Sequence, residues 1–201
     1  MIVVGVTGRY CAGKSTAAEI LAEHGYVQID VDRVGHEALA RERDRVVDAF
    51  GDGVLATNGS IDRKALGQLV FSDSARLRRL EAIVHPAMVE MTAERVHEYR
   101  ERGVGGGEAP PGVVINAAIL SRMGLDRLCD VVLHVRAPFC VTWRRAKERD
   151  GASVLDVVKR LRAQRDVDPQ HSPPDAETHS VDNDGDRERL REQIAARVPL
   201  P

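Results

Sequence analysis

Residues 8–16 read Gly8-Arg9-Tyr10-Cys11-Ala12-Gly13-Lys14-Ser15-Thr16 and fit the phosphate-loop pattern G-x-x-x-x-G-K-[ST]. Such a loop has to lie between a buried strand and the start of a helix, so it dictates much of the surrounding fold. Both flanks comply. Residues 2–7, Ile-Val-Val-Gly-Val-Thr, read as a buried strand, and residues 16–24 read as a helix. In that setting the loop's backbone N–H groups converge on a polyphosphate, and the helix N-terminus adds its positive end. The ammonium of Lys14 reaches the outer phosphates, and the Ser15 hydroxyl is placed to ligate Mg²⁺. All nine loop residues are therefore candidate nucleotide-binding positions, with ATP and Mg²⁺ the expected cofactors. A chance match in a glycine-containing turn is the competing reading, and the two correct flanks argue against it.

Bulk properties narrow the partners. The chain has 201 residues, room for one α/β domain with an insertion, and its 43% hydrophobic content supplies a core. Aromatic residues make up 3%, too few for the stacking platforms that hold single-stranded nucleic acid. With 29 basic and 31 acidic side chains, a net charge of −2 creates no global attraction to nucleic acid or anionic membrane. Cys11, Cys129 and Cys140 have no metal-ligand spacing, and an odd count suggests a reducing compartment. The expectation is a cytoplasmic protein, monomeric or weakly self-associating, with a small-molecule substrate and no nucleic-acid or membrane partner.

Short apolar runs at 2–7, 26–30, 113–117, 131–136 and 179–182 alternate with helical patterns. That order predicts a P-loop α/β fold, a five-stranded parallel sheet with helices on both faces. Between Arg33 and Arg102 no strand is evident; helical patterns at 62–71, 73–84 and 86–102 indicate a helical insertion. Asp62 and Asp73 suit helix N-caps, and Pro86 suits a first helical turn. A Gly/Pro-rich loop at 103–112 returns the chain to the third strand. Residues 144–165 read as helical and basic, and the Pro-rich stretch at 168–174 breaks that helix. The expected division is a nucleotide-binding core at 1–32, 112–143 and 179–201, a helical acceptor domain at 33–111, and a basic lid at 144–178. The lid's basic residues also fit a merely solvated face, although arginine forks suit phosphate oxygens.

A second cluster of chemistry falls where the second strand ends. Ligands in doubly wound sheets sit beyond the carboxyl ends of the strands, where Gly8, Asp30 and Asp32 fall. Either aspartate alone could be a helix N-cap. Together, beside a phosphate loop, they suit kinase chemistry, with Asp32 the candidate base for an acceptor hydroxyl. His85, before Pro86, could be a buried histidine or an acceptor contact.

Taken in order, these residues resemble the dephospho-coenzyme A kinase family. The resemblance rests on the 8–16 loop and on Ile29-Asp30-Val31-Asp32. It continues through Gly59-Ser60-Ile61-Asp62-Arg63-Lys64-Ala65-Leu66, Val70-Phe71, and Leu80-Glu81-x-Ile83-Val84-His85-Pro86. Arg145-x-x-x-Arg149-Asp150 and Val181-Asp182-Asn183-Asp184-Gly185 complete it. It implies ATP-dependent phosphorylation of the ribose 3′-hydroxyl of dephospho-coenzyme A, the final step of coenzyme A synthesis. It implies Asp32 as general base, His36 and His85 on the acceptor side with Asp30, Arg149 on the ATP phosphates, and Asn183 near the adenine. The family usually has glycine where Arg9 and Cys11 stand. Both side chains fit the loop by pointing outward at negative φ. After the third strand, Ala118-Ile119-Leu120-Ser121-Arg122 replaces a segment that ends in an acidic residue in the family. Another P-loop kinase of nucleosides, nucleotides or sugars is the first alternative. A nucleotide-binding regulator with weakened catalysis is the second.

Overall fold

The computed structural model describes residues 1–104, 109–164 and 176–201. Part of the 103–112 loop, Arg165 and the Pro-rich stretch at 168–174 lie outside the described residues. Five strands, β1 (Ile2–Gly8), β2 (Val27–Asp30), β3 (Gly112–Asn116), β4 (Val131–Arg136) and β5 (Glu177–Asp182), form one parallel sheet in the order β2-β3-β1-β4-β5. β1 is central, and Val3, Val4 and Val6 are fully buried. A strand covered on both faces reads as a continuous β-branched run, which is why this one stood out. The helices are α1 (Lys14–Glu23), α2 (Val31–Arg41), α3 (Arg43–Phe50), α4 (Arg63–Phe71), α5 (Ser74–Val104), α6 (Phe139–Asp150), α7 (Val154–Ala163) and α8 (Arg187–Ala195).

The chain divides into two compact units, Met1–Asp30 with Val96–Pro201, and Val31–Arg95. The first unit holds the sheet. Ala17, Ala18, Ile20 and Leu21 of α1 and Leu190 and Ile194 of α8 pack on Val4, Val6, Leu133, Val135 and Val181. The α1 spacing of i, i+1, i+3 and i+4 puts those four on one stripe. The second unit is helical and has its own core, centred on Ala38, Val46, Val54, Leu66, Val70, Val84 and Ala87. Asp62 caps α4 by accepting from the N–H groups of Lys64 and Ala65, at 2.9 and 3.1 Å. Asp73 does the same for Ala75 and Arg76, and those bonds hold its carboxyl below the usual range.

Two expectations need correction. Residues 73–84 and 86–102 are not separate helices; α5 runs unbroken for 31 residues with Pro86 inside it. Proline deletes the bond to the carbonyl four residues back. Ala82 and Pro86 are both exposed, so that carbonyl lies on the solvent side. Meanwhile Ile83, Val84, Ala87 and Met88 pack on one core from both sides of the proline. Conversely, residues 144–165 are not one helix. α6 ends at Gly151, whose φ of +64° is the left-handed C-cap geometry glycine adopts readily. Ser153 and Asp156 then start α7 with a reciprocal capping box.

Candidate active site

The phosphate loop leaves the carboxyl end of the central strand, as the motif demands. Gly8 lies so close to β4 that a Cβ there would stand 2.4 Å from the Val135 carbonyl oxygen. Gly13 ends the loop at φ +97°, and a Cβ on it would meet Asn183 Nδ2 at 2.0 Å. Only glycine fits either place. Between them the Ala12 N–H closes a turn on the Arg9 carbonyl at 3.2 Å. Cys11 corrects the expectation of negative φ, since it stands at +54°, the left-handed region. Its side chain packs toward Ala146, Ala152 and Val157, contacts that offset the backbone strain.

Lys14 lays its ammonium along the loop, donating to the carbonyls of Gly8 (3.1 Å) and Arg9 (3.3 Å). Ser15 follows in the first turn of α1 and is exposed, as a metal-ligating hydroxyl requires. Thr16 is half-buried.

Beneath the loop is a polar brace. Asn183, expected beside the adenine, is 2% exposed, and its Nδ2 donates to the Ala12 carbonyl at 3.1 Å. Its Oδ1 accepts from Arg145 Nη2 at 2.8 Å, and Arg145 Nη1 reaches the Ala12 carbonyl at 3.2 Å. Partial burial lowers the Arg145 pKa from the ordinary arginine value. Arg145 had gone unremarked as a site residue. Its signal was its place four residues after buried Val141, on the inner side of α6.

The other contact group is exposed and charged. Arg149 donates from Nε and Nη2 to the two oxygens of Asp150, both at 3.0 Å, and Arg160 Nη1 joins them at 3.0 Å. The Tyr10 hydroxyl also donates to Asp150. The guanidinium carbons of Arg149 and Arg160 lie 5.1 and 4.6 Å from the Tyr10 ring centroid. The Tyr10 N–H donates to Gln164 Oε1 at 2.6 Å. Hydrogen bonding to Asp150 raises the Arg149 pKa, and Arg149, ahead of Tyr10, holds the Asp150 carboxyl far below its usual range. The motif Arg145-x-x-x-Arg149-Asp150 includes Asp150, but the sequence assigns no site role to Asp150, Arg160 or Gln164. Their contacts with Tyr10 span 140 to 154 residues and leave no local pattern.

Asp30 ends β2, exposed, and pairs in register with Asn116, which pairs with Val6 of β1. Asp32 lies in the first turn of α2, where the helix dipole favours a carboxylate. His36, one turn on, shares its exposed face. His85 is half-buried within α5, not ahead of a helix. Arg122 is exposed on a short 3₁₀ turn after β3. Among the described residues no three His, Cys, Asp or Glu side chains cluster as a metal site, and no helix is long and apolar enough to cross a membrane.

The fold that carries this geometry is shared with solved structures. The chain is similar to a shikimate kinase from Bacteroides thetaiotaomicron in fold alone, with a TM-score of 0.52 at 15% identity over 97% of this chain and 95% of that one. The structure of TT1252 from Thermus thermophilus superposes with a TM-score of 0.73 at 30% identity, covering 97% of this chain and 95% of that one. The dephospho-CoA kinase of Geobacter sulfurreducens is 36% identical over 197 residues, 96% of this chain and 95% of that protein. That of Symbiobacterium thermophilum is 35% identical over 98% of this chain and 80% of its own length. A family model described as dephospho-CoA kinase matches residues 2–188. With the family model matching residues 2–188 and these two relatives 35–36% identical over nearly the whole chain, the chain belongs to the dephospho-CoA kinase family.

Proposed function

We propose that this protein transfers the γ-phosphoryl group of ATP to the ribose 3′-hydroxyl of dephospho-coenzyme A, giving coenzyme A and ADP. The observation that carries the reading is the loop at 8–16, braced from below by Arg145 and Asn183 and met by the arginines of α6 and α7. Little covalent chemistry is asked of the protein in such a transfer. Positioning and charge neutralisation supply the rate.

The loop N–H groups and Lys14 hold the β- and γ-phosphates. Lys14 would exchange the loop carbonyls of Gly8 and Arg9 for phosphate oxygens. Arg149 approaches the γ-phosphate from the lid, which we assign to 144–178. Magnesium fits the donor set, since the Ser15 hydroxyl is a hard oxygen at the loop's exit and ATP brings its own oxygens. When bound, the ion neutralises charge on the transferring phosphoryl group. Asp32 accepts the acceptor hydroxyl's proton, and Asp30, His36 and His85 contact the acceptor, which the helical region 33–111 receives. Asn183 supports the floor on which the nucleotide rests.

A coupled ADP-release assay with dephospho-coenzyme A against a panel of nucleosides, nucleotides and sugars tests the reading. Dephospho-coenzyme A should be strongly preferred. Binding of ATP with no turnover on it would overturn the assignment. For the base, Asp32→Asn should keep ATP binding and lose about 10²–10⁴-fold in single-turnover rate. A larger loss in Asp30→Asn would reverse the two roles.

A further inference from the structure

Tyr10 stands at the third position of the phosphate loop, and the side chain there is not needed to make a cradle of backbone N–H groups. Yet Tyr10 is held from several sides. Its hydroxyl donates to Asp150, its ring faces the guanidinium groups of Arg149 and Arg160 at 5.1 and 4.6 Å, and its N–H is fixed by Gln164. Four residues from the end of α6 and from α7 thus converge on one loop residue. We propose that Tyr10, with Asp150, is a positioning residue that holds the Arg149 guanidinium at the phosphate loop before ATP arrives. The inference rests on the reading of Arg149 as the lid arginine.

The stereochemistry of the pair supports it. A guanidinium carries five N–H donors in a fixed plane. Asp150 engages Nε and one proton of Nη2. Those two donors form the side-on edge of the fork, so the end-on edge, Nη1 with the second proton of Nη2, is a separate donor pair suited to phosphate oxygens. The Tyr10 ring adds a cation–π face that restrains the plane of the fork without occupying its donors. An arginine on four rotatable bonds and no such partners would have to be ordered during the reaction. Here Asp150 and a residue of the loop that binds the phosphates supply that ordering. Arg160 shares both partners, so Asp150 gathers two guanidinium groups beside the cradle.

The test is a double-mutant cycle on the full chain with Mg-ATP and dephospho-coenzyme A. Tyr10→Leu should lower kcat about tenfold with KM for ATP within about twofold of the parent. Tyr10→Phe, which keeps the ring and loses the hydroxyl, should recover most of that loss. In an Arg149→Ala background, Tyr10→Leu should cost nothing further, because the group it positions is gone. A role in loop stability alone would instead raise KM and multiply with Arg149→Ala. That result, or an unchanged kcat in Tyr10→Leu, overturns the proposal while leaving Arg149 as the lid arginine. An unchanged kcat in Arg149→Ala alone overturns the lid reading itself. If Tyr10→Leu does not fold, the cycle is run with Tyr10→Phe and Asp150→Asn, each of which should be silent in the Arg149→Ala background.

Discussion

Arg145 and Arg149 stand one turn apart on α6, and the two sides of the phosphate loop they serve are built in opposite ways. Below the loop, Arg145 is half-buried and bonds neutral oxygens: the Ala12 carbonyl, a longer contact to Cys11, and the amide of Asn183. Burial lowers its pKa. Beside the loop, Arg149 is exposed and bonds a carboxylate, and that partner raises its pKa. Partly buried bonds from a guanidinium to neutral oxygens have no opposite charge for salt to screen and are costly to break singly. Exposed ion pairs are screened and contribute little to stability. The first arrangement suits a floor that must not move. The second suits the role proposed for Arg149, a group that trades a protein carboxylate for a phosphate.

Lys14 gives the sharpest test of this contrast, because its ammonium lies along the loop on the Gly8 and Arg9 carbonyls. Lys14→Ala should lower turnover about 10³-fold or more, since it removes a fixed cation from the transferring phosphoryl group. The urea midpoint should stay close to wild type. Wild-type-like rates would sink the phosphate-loop assignment, and a large stability loss would mean that Lys14 is part of the brace.

Arg149→Ala should come next, with kcat down about 10²-fold and stability changed by less than about 0.5 kcal/mol. Arg144, exposed on the same helix, is the control, and Arg144→Ala should change kcat by less than about twofold. Small and equal effects would make the basic run a solvated face. The inverse pattern is expected for Arg145→Ala. It strands the buried Asn183 amide oxygen, so stability should fall by about 2 kcal/mol in urea unfolding. A loss of activity with no loss of stability there would erase the distinction between floor and lid.

The difference also separates what the sequence shows from what it hides. The central strand, the loop and α1 are contiguous, and their periodicities switch within twenty residues, so each could be read directly. Strands β3 and β4 are short β-branched runs, and Asp62 and Asp73 announce helix starts through local bonds. The floor and the lid are not contiguous. Asn183 reaches Ala12 across 171 residues and Tyr10 reaches Asp150 across 140, and no spacing rule connects them. The break at Gly151 was a different matter, because Gly151 and the Ser153-x-x-Asp156 box were legible cues that the density of basic residues obscured. Pro86 misled in the other direction. Proline at a helix start is the commoner event, and only the tertiary burial of Val84 and Ala87 on either side of it keeps α5 whole.

The smallest expected effect lies at Cys11, the residue between floor and lid. Its φ of +54° costs an L-residue about 1 kcal/mol. Its carbonyl faces Arg145 of the floor, and its side chain packs on the cluster of Ala146, Ala152 and Val157 at α6 and α7. Cys11→Gly relieves the strain but loses that packing and adds freedom to the unfolded chain, so its net change should be within about 0.5 kcal/mol of zero. Cys11→Ala loses the thiol and keeps the strain. Glycine should therefore be the more stable of the two by about 0.5–1 kcal/mol, measured by urea unfolding at equal slopes. Alanine equal to or better than glycine would show that the loop relaxes to negative φ without cost. The left-handed turn would then not be a fixed feature of the floor, and the contrast between a rigid underside and an exchangeable flank would lose its firmest backbone support.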